Sequence, residues 1–183
     1  MKSSRVASVL AALAVIACTA FSCGNPAPVA IPRTGFELLT FGTVKDAVDG
    51  DTVHLTDGRT IRVLAVDTPE MHDPQKRDAH GKYIVECGAV EASAYAHREL
   101  DGQRVRVQGD PTQDEKDRYG RPLAYLIFPD GRNYSVMVAG AGWAHAYAFH
   151  KSNPPEAYAD VKAAEMRAAQ ARIGIWGQCG GKP

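Results

Sequence analysis

Turn signals break this chain so often that no long element fits its first two thirds. Asp49-Gly50-Asp51, Asp57-Gly58, Asp67-Thr68-Pro69 and Pro129-Asp130-Gly131 interrupt it in succession. The apolar runs between them are short and alternate, which is the signature of small strands joined by tight turns. The pattern predicts strands over 41–47, 52–55, 60–66, 104–108 and 123–128. Between the third and fourth, residues 91–100 repeat Ala92, Tyr95, Ala96 and Leu100 at helical spacing. Two further helices are expected over 135–141 and over 155–173, the latter with Pro155 at its start and Gly174 at its end. Three strands, a helix, two strands and two helices make an α+β chain, mainly β barrel. The order suits a five-stranded Greek-key barrel of OB type with three helices.

The N-terminus is excluded from that domain. Lys2 and Arg5 precede an uncharged run over 6–21, too short for the roughly 20 residues that span a bilayer and suited to a secretory h-region. Cys18 and Cys23 each follow a small residue, Ala17 and Ser22, a pattern that resembles the lipobox of bacterial lipoproteins. The expected organisation is a lipoprotein-type signal peptide over 1–22, lipidation at Cys23, a Pro/Gly-rich tether over 23–35, the folded domain over 36–177 and a tail over 178–183. Plain signal cleavage near Ala20 is the alternative. The protein is therefore expected to be exported, as a cell-envelope lipoprotein or a secreted form, with no transmembrane helix in the mature chain. Removing residues 1–22 takes the 21 basic residues to 19 against 21 acidic, a net charge of −2. Bulk basicity thus cannot hold a polyanion; local basic groups or a bound metal must. Cys87 and Cys179 remain, and in an exported domain they suggest one disulfide, worth about 2–4 kcal/mol, over two unpaired thiols.

The chemistry gathers around the second hairpin. Antiparallel pairing through Asp57-Gly58 can bring Asp51, before the second strand, near Asp67, at the end of the third. Two carboxylates at one site repel unless a cation lies between them, and an oxygen donor set favours calcium or magnesium. The bland alternative is two aspartates capping turns. Glu70 follows Asp67 and a rigid proline, within reach of a metal-bound water. Arg62 shares the strand with Asp67, and Arg121 enters the fifth strand; guanidinium forks match phosphate bidentately. Each arginine alone reads as a surface ion pair, and only the combination suggests phosphodiester hydrolysis.

These residues carry a resemblance. Asp49-Gly50-Asp51-Thr52-Val53, Arg62 through Val66-Asp67-Thr68-Pro69-Glu70, Glu91-Ala92-Ser93, Asp117-Arg118-Tyr119-Gly120-Arg121 with Leu123-Ala124-Tyr125, and Ile175-Trp176 look like the staphylococcal nuclease (thermonuclease) family. The resemblance implies a calcium-dependent endonuclease that cuts DNA and RNA and leaves 3′-phosphates. It implies Asp51, Asp67 and the Thr68 carbonyl as calcium ligands and Glu70 as base or water-orienting group. Arg62 and Arg121 would stabilise the transition state, with Tyr119 on a neighbouring phosphate and Lys76 on the substrate loop. A glutamate near its ordinary pKa of roughly 4.3 would be a weak base at neutral pH, so an alkaline optimum is expected if hydroxide shares the attack. The loop over 74–87 is longer than in the family prototype. The aromatics of 142–150 fall one position off; Tyr147, Phe149 or His150 either stack a base or pack the barrel edge. A monomer is expected. The rival readings are a non-catalytic nucleic-acid-binding barrel and an envelope scaffold.

Overall fold

The structure, a computed structural model, describes residues 39–72 and 77–182. The expected signal segment, Cys18, Cys23, the tether and Lys76 lie outside the described residues. In chain order the elements are β1 (Leu39–Ala47), β2 (Thr52–Leu55), β3 (Thr60–Val63), β4 (Val66–Asp67), α1 (Ala89–Leu100), β5 (Arg104–Gln108), β6 (Leu123–Ile127), α2 (Tyr134–Gly140), β7 (His145–Ala146), α3 (Tyr158–Gln170) and α4 (Ile175–Gln178). β1, β2, β3, β6 and β5 close a barrel in that order, with β3 and β6 parallel and the other neighbouring pairs antiparallel. The expected barrel is present. A fourth helix, the single turn α4, joins the three expected from sequence.

β1 serves two neighbours. Its first half pairs with β5 and its second half with β2, and the register shifts between Val44 and Asp46. That bulge bends the strand, which is how a short sheet curls shut. Alternation then does the packing: Val53, Leu55, Ile61, Val63, Val105, Val107 and Leu126 point inward and are buried. Each such side chain contributes about 1.5–3 kcal/mol on leaving water. α1 closes the core with Ala96 and Leu100, and α2 with Tyr134 and Val138.

The third expected strand, 60–66, is broken. Ala65 has φ +66°, a left-handed conformation that a strand cannot carry. The chain turns there, and the next two residues leave the barrel to pair with β7, Val66 against Ala146 and Asp67 against His145. The turn is held from outside: the Ser135 hydroxyl donates to the Leu64 carbonyl at 2.8 Å, and Tyr147 N–H donates to Ala65 O at 2.9 Å. α3 starts at Tyr158, later than the expected Pro155. It stops at Gln170, just before Arg172 goes left-handed at φ +53°.

Asp110 joins the barrel to α3. Its buried carboxylate accepts the Tyr125 hydroxyl at 2.6 Å, the Thr112 hydroxyl at 2.6 Å, Thr112 N–H at 2.9 Å and Glu156 N–H at 2.7 Å. Burial pushes its pKa upward, but these hydrogen bonds hold it below the ordinary carboxylate value. A depressed folded pKa gives stability that is complete above the unfolded value and lost as pH falls through the folded one. Asp110→Ala is expected to cost about 1–3 kcal/mol at neutral pH, because the hydroxyl and amide donors lose a buried acceptor. The gap from wild type should narrow below about pH 4, measured by urea unfolding at neutral and acid pH.

Candidate active site

The site is built from two turns pressed together. Val48 N–H donates to Thr52 O at 2.8 Å, closing the β1–β2 hairpin, and Asp51 N–H donates to Asp49 Oδ1 at 3.0 Å inside it. Tyr134 Oη, from α2, donates to Gly50 O at 2.9 Å. Gly50 is required by proximity: a Cβ there would lie 2.6–2.7 Å from the Thr68 side chain. With no side chain between them, the hairpin and the residues after β4 interlock, and Thr68 N–H donates to Asp51 Oδ2 at 3.0 Å.

Asp51 is the hub. Its residue is only 1% exposed, yet its carboxylate is fully engaged. Besides Thr68, the Thr52 hydroxyl donates to Oδ1 at 3.2 Å and Arg62 Nη1 pairs with Oδ2 at 2.6 Å. Arg62 also donates from Nη2 to Asp67 Oδ1 at 3.0 Å and from Nη1 to Val66 O at 3.1 Å. Burial would favour loss of the Arg62 proton, but the charges of Asp51, Asp67, Asp49 and Glu70 hold it on. Of the five donors a guanidinium offers, Nε and one Nη2 hydrogen have no acceptor among the described residues. Arg121 joins through Thr52: Nη1 lies 3.4 Å from the Thr52 hydroxyl, while Nε donates to Asp117 Oδ2 at 2.6 Å. Arg62, Asp51, Thr52 and Arg121 thus form one connected chain.

The carboxylates lie close together. Asp49, Asp51 and Glu70 each offer an oxygen, and these lie within 4.8 Å of one another. The spacing and type of donor fit a hard divalent cation. The electrostatics agree: Asp49 is raised to about 6, by burial and then by the Asp51 charge. Glu70 is raised to about 7, by burial and then by Asp49 and Asp51. The sequence expectation of an unshifted Glu70 is therefore corrected, because burial and two neighbouring acids disfavour its charged form. A cation would relieve that strain. The expected ligand Asp67 stands slightly apart from this trio, half exposed and paired with Arg62. The Thr68 hydroxyl is buried without a hydrogen bond.

Two residues of this assembly are absent from the sequence-based site. Asp49 reads from sequence as a turn former, and its DG pairing masks its second role. Glu86 sits in the long loop and has no motif around it. Its Oε2 accepts Glu70 N–H at 2.8 Å, and its own N–H donates to Glu70 O at 3.1 Å. The neighbouring Cys87 is bonded to Cys179, with an S–S distance of 2.01 Å, so the clamp on Glu70 is anchored to the segment that follows α4.

Tyr119 lies beside Arg121, its ring 66% exposed and flanked by the Arg118 and Arg121 guanidinium groups at 4.8 and 5.4 Å from its centroid. Tyr147 reaches the site only through its backbone bond to Ala65; its ring is partly exposed and has no contact with the acidic cluster among the described residues. Phe149 is exposed and packs edge-on against His150.

Comparison with known proteins is consistent with this geometry. The profile described as "Staphylococcal nuclease homologue" matches residues 60–178. The chain belongs to the staphylococcal nuclease family. The matched stretch holds Arg62, Asp67, Glu70 and Arg121, while Asp49 and Asp51 precede it and join through the contacts above. Among family members, the thermonuclease of Staphylococcus intermedius is 34% identical over 139 residues, covering 73% of this chain and 74% of that one. "Uncharacterized protein MJ1439" of Methanocaldococcus jannaschii is 31% identical over 152 residues, 74% of this chain and 71% of that one. "Endonuclease YhcR" of Bacillus subtilis is 33% identical over 142 residues, and the chain spans 11% of its length.

Glu86→Ala is expected to lower stability by about 1–2 kcal/mol, since Glu70 N–H loses a charged acceptor. Urea unfolding checks this, with Glu86→Gln expected to restore part of the loss.

Proposed function

We propose that this protein is a calcium-dependent endonuclease that hydrolyses phosphodiester bonds of DNA and RNA. One observation carries the reading: three carboxylates within 4.8 Å of one another stand beside an arginine paired to one of them at 2.6 Å, with a second arginine linked through Thr52. The fold alone hosts many functions; this constellation matches phosphate chemistry. Relatives named thermonuclease and endonuclease support it.

The ion would be held by Asp51, with Asp67, the Thr68 carbonyl and Asp49. When bound, it supplies charge stabilisation for the phosphoryl oxygens and favours ionisation of water. The protein's own residues do the rest. Glu70, held by Glu86, orients a water and takes its proton. The free Nε and Nη2 hydrogens of Arg62 and the Nη2 group of Arg121 are donors for the negative charge that builds on the phosphoryl oxygens. Such preorganised donors usually give the largest share of catalysis. The new bond joins water oxygen to phosphorus; the bond to the 5′ oxygen breaks, the leaving oxygen takes a proton from solvent, and a 3′-phosphate remains. Tyr119, beside Arg121, would contact an adjacent phosphate; Lys76, outside the described residues, would act on the substrate loop as the family resemblance implies. The uncharged run over 6–21 and Cys23 after Ser22 support export with a lipid anchor; the protein would act as a monomer.

Digestion of plasmid DNA and RNA by the purified protein is expected with calcium and absent with chelator. Arg62→Ala and Arg121→Ala should each slow cleavage by roughly 10²–10³; Arg121→Ala should keep its unfolding midpoint within a few degrees, whereas Arg62→Ala should lower it because buried Asp51 loses its partner, so its rate is read at a temperature where circular dichroism shows it folded. Calcium should also raise the thermal midpoint, by the equivalent of about 2.7 kcal/mol at a hundredfold excess over Kd, and Asp51→Asn should abolish that shift. Full activity of both arginine variants, or digestion unaffected by chelator, would refute the assignment.

A further inference from the structure

A second cationic surface lies away from the acidic site. β6 begins two residues after Arg121 and runs from Leu123 to Ile127, about 13 Å at strand spacing. There a groove of about 400 Å³ opens on the outer face of β1, β5 and β6, lined by Phe41, Arg104, Arg106, Ile127, Phe128 and Pro129. The register explains the grouping: Phe41 pairs with Arg106, and Arg106 with Ile127, so the three stand in one row across the sheet. Among the described residues no carboxylate lines the groove.

Three observations set this surface apart. Phe41 is 63% exposed and presents its ring to the groove, and covering such a ring is worth more than a kilocalorie. The Arg104 guanidinium lies over that ring, 5.2 Å from its centroid, and Arg132 lies over Phe128 at 5.0 Å. Finally, Arg104 and Arg106 have no acidic partner among the described residues, whereas Arg59, Arg98, Arg121 and Arg132 each have one. The chain has no net charge, so two unneutralised arginines on one face are not a by-product of general basicity.

We propose that this groove is a second nucleic-acid-binding site, which takes a single-stranded segment of a substrate engaged at the acidic site. The inference rests on the nuclease reading for its substrate class. An open aromatic face flanked by unpaired guanidinium groups matches a ligand that alternates flat rings with anions; unstacked bases and phosphates do so. A duplex hides its base faces and cannot use Phe41. The groove lies a strand length beyond Arg121, farther than the nucleotide next to the scissile phosphate, so the site acts on strands longer than a dinucleotide.

The test measures binding without cleavage. A labelled single strand of about 20 nucleotides, long enough to span both sites, is titrated against the whole protein in chelator over a series of salt concentrations. Arg104→Gln/Arg106→Gln is expected to weaken binding about tenfold at low salt and to reduce the salt slope by about 1.4, the value for two phosphate contacts on single strands. Phe41→Ala should weaken it by about tenfold through lost stacking, with Phe41→Tyr restoring it. Cleavage of a dinucleotide substrate with calcium should be unchanged in every variant, as should the unfolding midpoint. Unchanged strand affinity and slope would overturn the proposal. So would a loss confined to vesicles of anionic phospholipid, which would assign the groove to a membrane surface. If the wild type cleaves nothing, the nuclease reading fails, while the binding titration still decides the groove.

Discussion

The site depends on how a buried carboxylate finds its partners. Asp51 is almost entirely out of water, which would be costly for an unpaired ion. Arg62 at 2.6 Å, the Thr68 amide and the Thr52 hydroxyl offset that cost. Each of the three comes from a different place: β3, the residues after β4, and β2 itself. The barrel closure that brings β2 beside β3 is therefore also what makes the charged hub possible. Removing one partner would strand the others, the usual fate of a broken buried pair. Around this hub burial first, and the neighbouring carboxylates second, raise the pKa values of Asp49 and Glu70.

Local chemistry made much of this visible in the sequence. The Asp-Gly turns and short alternating runs describe a barrel because each turn type prescribes its hairpin and each alternation its buried face. Arg62, Asp51 and Arg121 were legible for the same reason: their residue types and order carry a specific pattern. What stayed hidden is tertiary. The break at Ala65 has no sequence signal, since alanine favours no left-handed turn; the bend exists because Ser135 and Tyr147 satisfy the carbonyls it exposes. Glu86 lies sixteen residues from Glu70 with no motif in the sequence between, and only the folded chain joins them. The upward shift of Glu70 depends on burial and on two acids from another hairpin, so no reading of its neighbours in sequence could supply it.

β7 shows a related dependence. His145 pairs through its backbone with Asp67, while its ring reaches the buried Glu165 of α3 at 3.1 Å and stands edge-on to Trp176. The two-residue strand that holds Asp67 is thus supported by α3 and α4, elements with no side chain in the acidic cluster. A small barrel of short strands gains rigidity at its mouth from helices packed outside it.

The bridge between Cys87 and Cys179 spans 92 residues, and this orders events in the life of the molecule. The thiol next to Glu86 cannot find its mate until β5, β6, α2 and α3 have all been synthesised and α4 has docked. The hairpins around Asp51 use residues made early, but the tie that secures the Glu70 clamp needs Cys179, which is made only after α3. It also awaits an oxidising milieu, so the newborn chain and the finished one differ by a single bond close to the chemistry.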